Sequence, residues 1–378
     1  MKVRVGLIGL PNVGKSTLFN ALARKAVARA ENFPFCTIEP NIAPIPLPDQ
    51  YLEELGALAG SERTVPATLE FVDVAGLVRG ASRGEGLGNR FLAVARECDA
   101  ICHVVRAFED DETVHVEGRV DPAADAEVVN LELILADLEH ARRRLEKAAC
   151  RGEERDALDA VASALERGLP ARAAGLSDAA ALSVRSMGLL TLKPALYAFN
   201  VDEVEFLFAR VDAHTAARRV FDGIAHRDAH AVLTLVSAKL EAELATKDEG
   251  EQIEYLASLG IESPTEPREL LSCHVLPSLV RQLLGLSLVY TGPGVAPERS
   301  KTTRAHMISR GGLTAEGLAS RIHGDIRKGF ICAEVAQAST LLQHASFAAA
   351  KDAGCVKTEG RDYVLSAGDV AHIRWRGG

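Results

Sequence analysis

The stretch Gly9-Leu-Pro-Asn-Val-Gly-Lys-Ser-Thr17 constrains this chain more than any other segment. A GxxxxGKS motif needs a strand in front of it and a helix behind it. Only a loop held between those two elements can turn successive backbone N–H groups onto one anion, with the helix dipole adding to the attraction. Both flanks meet the demand. Val3, Val5, Leu7 and Ile8 form a short apolar run that reads as a buried strand, and Leu18, Phe19 and Leu22 among alanines read as the first turns of a helix. Gly9 and Gly14 permit close backbone approach, and Val13, Gly14 and Thr17 belong to the N–H cradle. Lys15 can reach the β- and γ-phosphates, and the Ser16 hydroxyl can ligate Mg2+. The motif implies binding of a nucleoside triphosphate.

Strand-like and helix-like stretches alternate to about residue 120, with Thr68–Val72 and Ala100–Arg106 as further buried strands. That alternation predicts an α/β fold with a mostly parallel sheet covered by helices. From Ala126 the pattern becomes helical and charged, with no Gly or Pro before Cys150, and a second Ala-rich stretch follows at Glu153–Arg167. The two predict an antiparallel helical hairpin. Buried strands resume at Ala195–Phe199 and Val232–Val236. Residues 1–125 and 189–285 therefore read as one nucleotide-binding domain, interrupted by a helical insertion over 126–188. The turn-rich segment from Thr291 to Pro297 reads as a linker. Beyond it, residues 295–378 predict a small α+β domain with strands at Phe330–Val335, Asp362–Leu365 and Val370–Trp375.

Seven scattered cysteines without a CxxC pair argue against a disulfide framework or a zinc site and for a reducing cytoplasm. No run approaches the roughly 18 apolar residues of a membrane span, and the opening strand is not a signal peptide. The net charge of −9 does not point to nucleic-acid binding by the whole chain. Arg299, Lys301, Arg304, Arg310, Arg321, Arg327 and Lys328 nevertheless form a basic stretch, readable as a solvated surface or as a functional patch.

Further motifs belong to the triphosphate site. Asp73-Val-Ala-Gly76 follows the Thr68–Val72 strand. Asp73 can hold Mg2+ through water, and the Gly76 N–H can contact the γ-phosphate. Thr37, in Asn32-Phe-Pro-Phe-Cys-Thr-Ile-Glu-Pro-Asn41, is the candidate switch threonine for Mg2+. Where many GTPases carry a Gln to orient the attacking water, this chain has Leu77, which has no hydrogen-bonding group. The base-recognition motif is altered as well. Asn200-Val201-Asp202-Glu203 lacks the usual Lys and ends in Glu rather than Asp, which weakens a guanine site built for a carboxylate at fixed reach. Ser237-Ala238-Lys239 completes the base pocket with backbone N–H groups.

Together, GLPNVGKST, NFPFCTIEPN, DVAGLVRGASRGEGLGN and NVDE resemble the YchF/Obg-like ATPase family. IHGDIRKGFICAEV and GRDYVLSAGDVAHIRW are similar to the pattern of a TGS domain. The resemblance implies a preference for ATP over GTP, in keeping with Val201 and Glu203, and slow hydrolysis in which His115 takes over the task of the missing Gln. It implies that Asn12 helps bind K+ beside the phosphates, that Cys36 responds to oxidants, and that the ribosome, through its 50S subunit, is the partner. The basic stretch and the helical hairpin would face it. A cytoplasmic monomer that does not bind membranes is the expectation. Within the residues themselves two other readings stand: a GTPase or dual-specificity enzyme, and a non-hydrolysing adaptor that nucleotide only stabilises.

Overall fold

The computed structural model describes residues 2–30, 41–74, 87–110, 119–147, 149–208, 220, 222–224, 228–260, 272–292 and 302–376. Among these, twelve strands form two six-stranded sheets. They are β1 (Arg4–Ile8), β2 (Ile42–Pro46), β3 (Arg63–Val65), β4 (Thr68–Asp73), β5 (Ala100–Arg106) and β6 (Ala195–Asn200), then β7 (Val232–Val236), β8 (Ser287–Thr291), β9 (Thr302–Ile308), β10 (Phe330–Gln337), β11 (Lys357–Glu359) and β12 (Asp369–Trp375). The first sheet runs β2-β4-β1-β5-β6-β7, with every pairing from β4 to β7 parallel. All seven residues of β5 and all six of β6 are buried. Their unbroken apolar character is what strands covered on both faces require. β1 lies at the centre, between β4 and β5, and runs directly into the glycine-rich loop.

The helices used below are α1 (Lys15–Ala30), α2 (Leu52–Ala59), α3 (Leu87–Arg96), α4 (Pro122–Leu145) and α5 (Gly152–Glu166). The last two form the expected hairpin. Asp121 caps α4 by accepting from the Ala124 N–H at 3.1 Å, and Pro122 sits in the first turn, where its missing N–H costs nothing. Ile134 and Ala141 of α4 pack with Leu158, Val161 and Leu165 of α5. Arg144 forks onto Glu154 at 2.7 and 2.8 Å near the tip. Asp137 ties the hairpin to the chain that re-enters the sheet. Fully buried, it accepts from the Leu190 N–H at 3.0 Å, the Thr191 N–H at 2.7 Å and the Thr191 hydroxyl at 2.8 Å, with Arg96 at 3.3 Å. Burial pushes its carboxyl above the usual carboxylate range, against the pull of these donors.

The chain divides into two compact units, Lys2–Ile45 with Leu69–Val280, and Pro46–Thr68 with Arg281–Gly378. The segment 46–68, which sequence reading assigned to the nucleotide-binding domain, thus belongs with the C-terminal residues. Among the described residues its strand β3 pairs with none of its sequence neighbours but in parallel with β9, Arg63 opposite Thr302 and Val65 opposite Arg304. The Tyr290 hydroxyl donates to Asp49 at 2.8 Å in the same unit. The second sheet runs β11-β10-β12-β8-β9-β3 over a core that includes Val289, Ile308, Leu318, Phe330 and Ile373.

One expected strand is absent from the described residues. Asp362–Leu365 forms only an isolated bridge, Thr314 to Val364. Its backbone is committed elsewhere: the Ala315 N–H donates to the Tyr363 carbonyl and the Leu365 N–H to the Leu313 carbonyl, both at 2.9 Å. Among the described residues no helix is long and apolar enough to cross a membrane.

Candidate functional site

β1 delivers Gly9 to the C-terminal end of the parallel strands, where a Cβ would overlap the Val104 carbonyl oxygen. Gly14 carries a φ of +87°, and a Cβ there would overlap Asn200 Nδ2. Both glycines are therefore required by close approach. Asn12 also takes a left-handed conformation, φ +62°, which Asn tolerates better than most side chains. The Leu18 N–H donates to the Gly14 carbonyl at 2.9 Å and starts the helical ladder of α1. The cradle is in place on a helix N-terminus.

Three of the expected phosphate and metal residues converge. Lys15, only 8% exposed, places its ammonium 3.2 Å from Asp73 Oδ1, and the Ser16 hydroxyl donates to Asp73 Oδ2 at 2.9 Å. Among the described residues Asp73 Oδ1 is buried and receives no hydrogen bond of good geometry, only the facing charge of Lys15. Asn12 is exposed on the loop and Thr17 in the first turn of α1, while Val13 is buried beneath the loop.

The base-side motif is joined to the loop by one side chain. Asn200, 3% exposed at the end of β6, donates through Nδ2 to the Val13 carbonyl at 3.0 Å and accepts on Oδ1 from the Ala238 N–H at 2.8 Å. Sequence reading placed Asn200, Val201, Glu203, Ser237 and Ala238 around the base. The structure adds that Asn200 braces the P-loop against the turn after β7. An Asn closing a buried strand was the available signal. Val201 is buried and its N–H donates to the Val236 carbonyl at 2.9 Å. Glu203 directs Oε2 toward Lys239 at 3.5 Å, while its buried Oε1 and the buried Ser237 Oγ have no hydrogen-bond partner. These are unspent acceptor and donor positions beside the expected base-recognition motif.

Thr37, Gly76, Leu77, His115 and Cys36 lie outside the described residues, as do Arg299 and Lys301 of the basic stretch. Within that stretch Arg304 and Arg310 are exposed, whereas Arg327 and Lys328 pair with Glu316 and Asp325, each at 3.7 Å.

A parallel sheet whose central strand feeds a glycine-rich loop, a buried lysine facing a strand-end aspartate, and a helix start on that loop define a P-loop nucleoside-triphosphate-binding protein. The family model described as a 50S ribosome-binding GTPase matches residues 4–135, and the C-terminal model of YchF-type GTPases, described as a protein of unknown function, matches residues 298–376. Proteins named ribosome-binding ATPase YchF are similar over their full length. That of Haemophilus influenzae is 43% identical with 99% of both chains covered, and that of Bacillus subtilis is 39% identical with 99% of this chain and 100% of its own covered. The solved YchF GTPase of Schizosaccharomyces pombe superposes with a TM-score of 0.82 at 32% identity, covering 99% of this chain and 98% of its own. The chain belongs to the YchF family.

Proposed function

We propose that this chain is a slow ATP-hydrolysing switch of the cytoplasm that couples its nucleotide state to the ribosome, chiefly the 50S subunit. The observation that carries the reading is the convergence of Lys15 and Ser16 on Asp73 at the P-loop. The ribosome as partner is supported by the names of the full-length relatives.

The donor set suits Mg2+. It pairs a hydroxyl with a carboxylate 2.9 Å away, and one buried carboxylate oxygen has no hydrogen bond to lose. Ser16 would hold the ion directly, Asp73 through water, and Thr37 would add a further oxygen. Bound there, Mg2+ would supply positive charge to the triphosphate. The chain's own work is to bind and orient. Lys15 transfers its attraction from Asp73 to the γ-phosphate, Gly76 donates its N–H to the same group, and His115 orients the attacking water in place of the missing Gln. A bond forms from the water oxygen to the γ-phosphorus while the bond to the β–γ bridging oxygen breaks, giving ADP and inorganic phosphate. The water's proton passes to the phosphate. Asn12 would lend an amide oxygen to K+, which adds charge where an arginine finger otherwise acts.

Val201 in place of Lys and Glu203 in place of Asp support adenine over guanine, because a carboxylate one methylene longer misses the two guanine N–H donors. GTP is the second reading, favoured by the descriptions of the matching family model and of the Schizosaccharomyces pombe structure. Residues 295–378 form a TGS-like region that, with the helical insertion, faces the ribosome. The protein acts as a monomer, and oxidation of Cys36 beside Thr37 would interfere with metal binding.

The test is turnover of ATP with and without ribosomes, in K+ and in Na+. Stimulation by ribosomes, faster turnover in K+, and loss of activity in Lys15→Ala and His115→Ala are expected. GTP binding about tenfold tighter than ATP would reverse the nucleotide assignment. Lys15→Ala turning over at the wild-type rate would overturn the site.

A further inference from the structure

Between the first sheet and the base of the helical insertion lies a cavity of about 320 Å3 that the nucleotide site does not use. Its floor is the sheet itself: Ile8 of β1, Ile101 and His103 of β5, and Tyr197 of β6. Its roof is α4, through Asn130 and Ile134. Ala123, Glu127 and Leu131 follow one another at helical i, i+4 spacing along α4, line the same space and are all exposed, so the cavity opens to solvent along this row. Leu131 is 52% exposed there, a large apolar side chain at an entrance. None of Lys15, Ser16, Asp73, Asn200 and Ala238 lines the cavity.

Its chemistry is narrow. The charges at the far wall are already spent on one another and on the backbone. Arg172 donates to Asp228 at 2.6 Å, to the Thr191 carbonyl at 2.9 Å and to the Lys193 carbonyl at 3.1 Å. The remaining wall is mostly aliphatic, and among the described residues that line it His103 carries a buried polar atom with no hydrogen-bond partner. That side chain is 2% exposed, its ring lies 5.2 Å from the Tyr197 ring, and its Nδ1 is buried with no hydrogen-bond partner. Asn130 accepts from the Tyr197 hydroxyl at 3.1 Å, and its side chain also faces the imidazole and favours the protonated form, against the stronger effect of burial. Burial pushes the His103 imidazole down to about 3, so it is neutral at physiological pH and attracts no anion. A neutral imidazole has one donor and one acceptor nitrogen, and an occupant with one matching polar group would give the ring a hydrogen-bond partner. The volume is at the lower end of small-molecule sites, and such sites are apolar spaces with a few placed polar groups.

We propose that this cavity is a second, non-nucleotide binding site that takes a small uncharged molecule, flat and largely apolar, with a single hydroxyl or N–H group directed at His103. A ring slots between the sheet floor and α4, and its polar group meets the His103 imidazole.

The test uses 2-naphthol as the probe and naphthalene as its apolar counterpart, titrated into the full-length chain by fluorescence and by calorimetry. One saturable site per chain is expected, with 2-naphthol preferred over naphthalene by about tenfold, the value of one buried hydrogen bond. His103→Phe keeps the ring's shape and removes the polar atom, so it should erase that preference while naphthalene still binds. Ala123→Trp, on an exposed helical position, narrows the entrance and should weaken both probes, which keeps the proposal testable even if His103→Phe does not fold. Saturating ATP should leave 2-naphthol binding unchanged. The proposal is overturned by the lack of a saturable site in the folded wild-type chain. It is equally overturned by binding that is indifferent to both substitutions, or by competitive displacement with ATP, which would place the probe in the nucleotide cradle.

Discussion

Gly14 and Asn200 are 186 positions apart and meet at the P-loop, so their substitutions should not behave independently. Asn200→Ala leaves the Val13 carbonyl and the Ala238 N–H without the partners they have at 3.0 and 2.8 Å, in a place where Asn200 itself is 3% exposed. Each orphaned group costs about 1–3 kcal/mol, so a loss of about 3 kcal/mol is expected. Gly14→Ala forces a side chain into a φ of +87°, at about 1–2 kcal/mol of strain, and drives its new methyl into Asn200 Nδ2. Displacing Asn200 forfeits the same two hydrogen bonds, which brings the cost to about 4–5 kcal/mol. In an Asn200→Ala background that obstacle is gone, and the next neighbour, the Ala238 Cβ at 3.5 Å, is in ordinary contact. Only the strain is left. The double variant should therefore be more stable than the sum of the singles implies, by about 3 kcal/mol. Urea unfolding followed by far-UV circular dichroism is the assay, because the single tryptophan, Trp375, reports on the other sheet. Costs that add to within about 0.5 kcal/mol would refute the brace.

Other substitutions test the surrounding arrangement. Asp137→Ala leaves two N–H groups, a hydroxyl and Arg96 without their acceptor, and should destabilise the first unit by about 3–5 kcal/mol; thermal melts would check it, and a shift of under about 2 °C would count against the assignment. His103 is depressed to about 3 in the fold, while an unfolded chain binds the proton below about 6.5. Protons therefore favour unfolding as pH falls from 6.5 toward 3, and about 2 kcal/mol should be lost at pH 5 relative to pH 8. His103→Phe should flatten that part of the profile, and an unchanged wild-type-to-variant difference across the range would contradict it. Glu203→Asp shortens the base-side carboxylate and should shift relative affinity toward GTP, measured with fluorescent analogues of both nucleotides. Ser16→Ala removes the hydroxyl that donates to Asp73 at 2.9 Å and should raise the Mg2+ concentration needed for half-maximal turnover by about tenfold, read from a Mg2+ titration.

Five strands of the first sheet were legible because their signals are local, whereas β2, which carries Pro44 and Pro46, did not read as a strand. β5 and β6 are buried along their whole length, so their composition alone announces them, and β1 is bracketed by the loop it must serve. The hairpin was legible for a like reason, since α4 carries 24 residues without a break beyond its first-turn proline. The second sheet was only partly legible. β3 is three residues long, with an exposed arginine at its start, and exists because Thr302–Arg304, almost 240 positions away, supplies its edge. Tyr363 and Leu365 alternate as a strand would, yet the hydrogen bonds of that segment go to the turn at Leu313–Ala315. Periodicity reports which side chains are buried, and it does not say which backbone groups pair.

From the amino-acid order alone came the triphosphate loop, the altered base motif, Leu77 in place of a glutamine, and the family resemblance those motifs carry. Each is a contiguous run whose spacing fits a ligand, so the chemistry can be read without knowing the fold. The tertiary structure alone decided that Lys15 and Ser16 meet on Asp73, that Asn200 locks Val13 to Ala238, that residues 46–68 join the C-terminal sheet, and that His103 lines a space beside α4. Those outcomes depend on hydrogen bonds and close contacts between segments dozens to hundreds of residues apart. Such pairings are selected only when the whole chain has satisfied its buried polar groups together.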